Sequence, residues 1–406
     1  MTEHSETMIA QTERYSAHNY KPLPVVIAEG TGCWVTDVDG KRYLDMLSAY
    51  SALNQGHRHP RIIGAMKQQL ERVTLTSRAF YNDQMGGFCE DLVALTGLDR
   101  VLPMNSGAEG VETALKAARK WGYEVKKVAA NQAEIIVFSG NFHGRTISIV
   151  SFSTEPQNQA GFGPLTPGFR VVPFGDITAL EAAITANTVG VLLEPIQGEG
   201  GVIMPPEGFL RDVRALCTKH RVLMINDEIQ VGLGRTGRMF CYEHEDAKPD
   251  LLILGKALGG GLYPVSAVIG IEEVMAVFRP GDHGSTFGGN PLACAVARES
   301  LRVLKDERLA ERAAEMGAYF RQRLTAMNSP HVEEVRGKGL LIGIQIKKAA
   351  GLAKPYCYAM MKEGILAKDT HEQVIRFAPP LVITQEEIDW ACERIERVLC
   401  GAALHK

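Results

Sequence analysis

The chain has 406 residues, 45% hydrophobic and 22% charged, with a formal net charge of −3. That length provides for two or three domains with buried cores, and the composition is that of a globular protein, not a disordered or fibrous one. The charge balance and the lack of a local basic cluster exclude a nucleic-acid partner, and no apolar run approaches the roughly 20 residues that cross a bilayer.

In chain order, residues 1–19 read as a flexible lead-in, with Glu3, Glu6 and Glu13 against a single Arg14. They have neither the apolar stretch of a secretory signal nor the Arg-rich, acid-poor character of a transit peptide, so a cytoplasmic setting is expected. Residues 32–36 and 42–46 read as strands joined by Asp37-Val-Asp-Gly40, a hairpin signal. From about residue 85 to 300, short apolar runs at 135–138, 191–193, 222–225, 251–254 and 265–269 alternate with helical stretches. That pattern predicts a mainly parallel sheet covered on both faces. Beyond residue 301 come charged amphipathic helices, strands at 339–345 and 374–377, and a closing helix. The expected fold is therefore α/β. A large domain at residues 51–300 holds the mainly parallel central sheet. Residues 1–50 and 301–406, the two chain ends, together make a small α+β domain.

Eight scattered cysteines without a C-x-x-C pair read as reduced thiols. His57 and His59 flank Arg58, but nothing nearby completes a ligand set, and no metal is expected.

The chemistry gathers at three places. Lys256 directly follows the apolar run 251–254 and precedes a glycine-rich stretch, which puts it at the carboxyl edge of the sheet, where open α/β folds bind ligands. Alone it is an ordinary loop lysine. Asp227 ends another apolar run, so its carboxylate faces the same crevice, where it is either a helix cap or the partner of a pyridine nitrogen. Ser106, Gly107 and Ala108 open a helix whose apolar face is Val111, Ala114, Leu115, Ala118 and Trp121, and free amides at such a start suit a phosphate. Phe142 is a candidate for stacking on a flat ring, and Arg145 is a candidate fork for a carboxylate.

The segments Asn105-Ser-Gly-Ala108, Phe142-His-Gly-Arg145, Glu194-Pro-Ile-Gln-Gly-Glu199, Asp227-Glu-Ile-Gln230, Gly255-Lys256 and Gly284-Ser-Thr-Phe-Gly-Gly-Asn290 occur together. With them the chain resembles the fold-type I enzymes of pyridoxal 5'-phosphate (PLP), and among these the class III (ω-) aminotransferases, over about residues 20–380. Three further stretches, Ala17-His-Asn-Tyr20, residues 47–56 and Arg376-Phe-Ala-Pro-Pro380, are most similar to the members that use L-ornithine as donor and 2-oxoglutarate as acceptor, forming glutamate.

The resemblance implies that Lys256 holds the cofactor and shuttles a proton. It gives Asp227 the pyridine nitrogen, Gln230 the ring hydroxyl, Phe142 the ring face, and Ser106, Gly107 and Ala108 the phosphate. Ser285 and Thr286 would reach the phosphate of the other subunit, which makes the active unit a homodimer. Tyr20 and Arg145 would receive the α-amino-acid end of ornithine, and Tyr50 would shape the pocket. Glu199 would mask Arg376 until 2-oxoglutarate arrives, and Glu194 would support the site from behind. His143 stands where animal ornithine enzymes carry Trp and many class III relatives carry His. Acetylornithine or 4-aminobutyrate as donor, although those relatives commonly have an aliphatic residue in place of Tyr50, and racemisation or decarboxylation on the same fold, are the alternatives.

Overall fold

A meander opens the sheet structure of the computed structural model, which describes residues 2–404. Its strands are β1 (Ile27–Thr31), β2 (Trp34–Asp37) and β3 (Arg42–Asp45). The β2–β3 turn forms because Gly40 takes φ 82° and the Asp37 carboxylate accepts from the amides of Asp39 (3.0 Å) and Lys41 (2.9 Å).

Seven strands make the central sheet: β4 (Arg100–Met104), β5 (Glu134–Phe138), β6 (Phe169–Val172), β7 (Thr188–Leu193), β8 (Leu223–Asp227), β9 (Leu251–Leu254) and β10 (Ser266–Gly270). Their order is β4-β10-β9-β8-β7-β5-β6; the ladder from β6 to β9 is parallel, and β10 runs antiparallel to both neighbours. Strands β7 to β10 are buried at every position, because helices cover both faces. On one face the helix Gly107–Trp121 packs Val111, Ala114, Leu115, Ala118 and Trp121 over Ile225 and Ile253. On the other, the helix Phe209–His220 packs Phe209, Val213 and Cys217 over Val191 and Met224.

The remaining strands are β11 (Val332–Lys338), β12 (Leu341–Ile346), β13 (Ile365–Leu366), β14 (Lys368–Thr370) and β15 (Val374–Phe377). Four of them form a sheet in the order β11-β12-β15-β14, whereas β13 pairs in parallel with β3. Residues from the two ends of the chain thus share one sheet.

The lead-in is not the flexible segment expected. Residues Glu3–Tyr15 are a helix capped by Thr2, whose hydroxyl accepts from the Ser5 amide at 3.3 Å. Glu3 and Glu6 in the first turn and Arg14 in the last complement the helix dipole. The Asp39 carboxylate accepts from the hydroxyls of Thr2 and Ser5, which docks the helix on the β2–β3 turn. Among the described residues no helix is long and apolar enough to cross a membrane. His57 and His59 serve as structural ties, to Asp45 (2.8 Å) and Glu307 (2.9 Å) respectively.

Candidate active site

Parallel pairing puts the ends of β8 and β9 side by side, with Asp227 opposite Ile253 and Lys256 three residues further on. Lys256 sits at φ 44°, a left-handed conformation that a lysine holds only where its surroundings impose it. Both residues line a cavity of about 140 Å³, together with Gly107, Phe142, Glu199 and Gln230. A second cavity of about 510 Å³ shares Gly107 and Lys256 and adds Ser106. Burial holds the Lys256 ammonium below the usual lysine range; Arg376 acts in the same direction, and the negative charge of Glu199 opposes it.

Asp227 is fixed on both oxygens. Its Oδ1 accepts from the Ile229 amide at 3.1 Å and its Oδ2 from His143 Nδ1 at 2.7 Å. The His143 side chain is wholly buried. Burial disfavours its charge, but the hydrogen bond and charge of Asp227, with the charge of Glu194, outweigh that and raise its pKa. Its Nε2 is buried without a partner among the described residues. Glu194 Oε1 accepts from the Phe142 amide at 2.7 Å, fixing the ring-bearing loop, and burial pushes its carboxyl up to about 7. The Arg145 guanidinium lies 5.7 Å from the Phe142 ring centroid and is exposed.

At the helix start, Ser106 and Glu109 form a reciprocal capping box, which spends Ser106 Oγ on the Glu109 amide. The amides of Gly107 and Ala108 are left free among the described residues, at the positive end of the helix. A side chain at Gly107 would meet Ile229 Cδ1 at 2.9 Å, so glycine is what lets the helix approach the cavity. Ser285 Oγ accepts from Asn105 Nδ2 at 2.7 Å, yet it lines a different cavity, of about 300 Å³, with Arg78 and His283. Thr286 is exposed.

Across the cavity, Arg376 is 1% exposed and donates from Nη1 to Glu199 Oε1 at 2.8 Å. Gln230 bridges the pair: its Nε2 donates to the same oxygen at 3.0 Å, and its Oε1 lies 3.4 Å from Arg376 Nη1. Burial works against the Glu199 charge, but Arg376 and Lys256 outweigh it and hold its carboxyl below the usual range. The Tyr50 ring centroid lies 5.1 Å from the Arg376 guanidinium carbon. Tyr50 belongs to a turn, Ser48 to Ser51, in which four consecutive non-glycine residues have φ between 46° and 69°. Such a conformation costs roughly 1–2 kcal/mol per residue. Asp45 Oδ1 helps to hold it by accepting from the amides of Leu47 (2.9 Å) and Ser48 (2.8 Å). Tyr20 is 70% exposed.

Two contacts were not foreseen from sequence. His143, noticed only as a neighbour of Phe142, backs Asp227, and Gln230, assigned to a ring hydroxyl, also ties Glu199 to Arg376. Arg235, fully buried, carries no signal in the sequence that would set it apart.

A carboxylate backed by a buried histidine suits a ring nitrogen that must stay protonated. A desolvated amine suits a carbonyl carbon, and two free amides at a helix start suit a phosphate. Those three fittings surround one cavity and correspond to the nitrogen, aldehyde and phosphate of PLP. The class they define is that of fold-type I PLP enzymes.

The chain belongs to the aminotransferase class-III family, whose model matches residues 15–399, and it is accordingly a PLP-dependent transaminase. It is 58% identical to the ornithine aminotransferase of Brevibacillus brevis over 395 residues, which span 97% of this chain and 98% of that relative. The solved structure of the ornithine aminotransferase from Toxoplasma gondii, with PLP at partial occupancy in its active site, has a TM-score of 0.96 at 48% identity, covering 97% of this chain and 94% of the other. The acetylornithine aminotransferase from Elizabethkingia anophelis is also similar, with a TM-score of 0.89 and 48% identity over 98% and 99% of the two chains.

Proposed function

We propose that the chain is an ornithine δ-aminotransferase, which moves the δ-amino group of L-ornithine to 2-oxoglutarate and yields glutamate 5-semialdehyde and glutamate. The semialdehyde then cyclises to pyrroline-5-carboxylate. The observation that carries the reading is the buried Arg376 held by Glu199 under the ring of Tyr50. A donor that reacts at its far amine needs the strong carboxylate site near the cofactor masked, whereas glutamate needs the same site open.

When bound, PLP supplies an electron sink that lets an amino group leave one carbon and join another. The chain's own residues do the rest. Lys256, with its lowered pKa, would hold the cofactor and carry the proton to and from the reacting substrate carbon. Asp227, oriented by His143, would keep the ring nitrogen protonated, and Phe142 would lie against the ring. Ser106, Gly107 and Ala108 would receive the phosphate, with Ser285 and Thr286 of the partner subunit completing its shell in a homodimer. Tyr20 and Arg145 take the α-amino-acid end of ornithine. With 2-oxoglutarate, Arg376 takes the α-carboxylate and Arg145 the distal one. The cytoplasmic setting belongs to the same proposal and is supported by eight cysteines that are all free thiols.

The test is a donor panel with 2-oxoglutarate. Ornithine is expected to exceed N-acetylornithine and 4-aminobutyrate in kcat/KM by about tenfold or more, the size of one lost polar contact in a built site. A preference for N-acetylornithine would replace the reading with that of the Elizabethkingia relative.

A further inference from the structure

Arg235 lies outside the cavity and is fully buried. Its four hydrogen-bond partners are all neutral oxygens: Leu340 O (2.9 Å), Pro379 O (2.6 Å), Ser48 Oγ (3.2 Å) and Asn54 Oδ1 (2.6 Å). No carboxylate hydrogen-bonds the guanidinium, and burial outweighs the favourable charge of nearby Asp45 and lowers its pKa, so an apolar side chain of similar volume would pack more cheaply. What distinguishes the cation is how many segments it joins.

Ser48 begins the left-handed turn that carries Tyr50, and Asn54 follows that turn. Pro379 lies three residues beyond Arg376, on the exit from β15. Leu340 leads into β12, which pairs with β15 so that Gly343 stands opposite Arg376. The same segments are laced to one another around the guanidinium. Ser48 Oγ donates to Ala378 O (2.6 Å), the Ala378 amide to Met46 O (2.7 Å), and the Leu381 amide to Asn54 O (2.8 Å). Asn54 Nδ2 in turn donates to Leu233 O at 2.8 Å, closing the lacing onto the loop of Arg235 itself.

We propose that Arg235 is a positioning residue for substrate selection: it clasps the Tyr50 turn to the Arg376 strand and so sets the distance between ring and guanidinium. The proposal rests on reading Tyr50 and Arg376 as the residues that choose the substrate. Four residues in the left-handed region form a turn that relaxes toward ordinary backbone when released. Ser48 Oγ is the handle, since it accepts from Arg235 while donating to Ala378. Relaxation would carry Tyr50 away from Arg376 while leaving Lys256 and Asp227, on their own strands, in place.

The experiment uses the holoenzyme and the variants Arg235→Lys, Ser48→Ala, Tyr50→Ile and Ser48→Ala/Tyr50→Ile. Arg235→Lys and Ser48→Ala are expected to raise the KM for ornithine by about tenfold, with kcat within about threefold of wild type and the visible cofactor spectrum unchanged. In the Tyr50→Ile background, Ser48→Ala is expected to add less than about threefold, because the group it positions has already been removed. A fall in kcat at constant KM, or effects that multiply fully in the double variant, would overturn the proposal and leave Arg235 as a support of the fold. Should Arg235→Lys fail to fold, Ser48→Ala, which keeps the cation and removes one hydroxyl, decides the matter. If wild type itself prefers another donor, the ornithine reading fails, and the same cycle read on that donor still tests the clasp.

Discussion

Replacing Glu199 by alanine should split the two half-reactions in opposite directions. Arg376 is 1% exposed, and without Glu199 its cavity-side contacts would be Gln230 Oε1 at 3.4 Å and the Tyr50 ring at 5.1 Å. Removing one member of a buried charge pair costs about 3–5 kcal/mol. Here Glu199 keeps 27% side-chain exposure and the two remaining contacts offset part of the loss, so about 1.5–3 kcal/mol is left to appear in the kinetics. At ~1.36 kcal/mol per tenfold, that is roughly a ten- to hundredfold effect. Its sign follows from the geometry. A permanently open Arg376 captures the α-carboxylate of ornithine and presents the wrong amine, slowing that half-reaction, while glutamate finds its site ready and reacts faster. Single-turnover absorbance changes on mixing the holoenzyme with each amino acid measure both rates. Equal slowing of the two would refute the switch and make Glu199 a general support of the site.

Lys256→Ala should bind PLP yet lose turnover, and borohydride should no longer fix the cofactor to the chain; transamination at the wild-type rate would reject the assignment. Tyr50→Ile should lower kcat/KM for ornithine and raise it for 4-aminobutyrate, which lacks the α-amine, by about three- to tenfold each, as expected for one polar contact; an unchanged ratio of the two donors would remove Tyr50 from the specificity argument. Glu194 gives a stability prediction for the cofactor-free protein. Burial, with Asp227 adding and His143 opposing, raises its carboxyl from 4.5 to about 7, so between those values the folded protein keeps a proton that the unfolded chain releases. Its contribution is present below the unfolded value and lost as pH rises through 7, and Glu194→Gln, which mimics the protonated acid, should escape that loss. Between about pH 5 and 8 the variant should gain about 2–3 kcal/mol relative to wild type in urea denaturation. Parallel pH profiles for the two proteins would contradict it.

The central sheet was legible because β7 to β10 are buried at every position, which forces uninterrupted apolar runs into the sequence. Strand β6 (Phe-Arg-Val-Val) at the sheet edge and β11 (Val-Glu-Glu-Val-Arg-Gly-Lys) are half-exposed, and their mixed residues carry no such signal. The helix Glu3–Tyr15 was illegible for a related reason: it buries little, and its docking depends on Asp39, which the chain supplies only after two strands. At the site, Lys256, Asp227 and the Ser106 helix start announce themselves by standing at element ends. The contacts that tune them do not. His143 meets Asp227 across 84 residues and Gln230 meets Arg376 across 146, and the fold alone brings those pairs together. Arg235 reads from sequence as a charged loop residue, and only its burial reveals otherwise.

The central claim is that the amine leaves from the δ position of ornithine. Incubating the holoenzyme and 2-oxoglutarate with ornithine labelled with ¹⁵N at either the α- or the δ-amine, and reading the label in glutamate by mass spectrometry, tests this most directly. The account predicts labelled glutamate from the δ-labelled donor alone, with the α-label retained in pyrroline-5-carboxylate. Label reaching glutamate from the α-amine as the main product would contradict it.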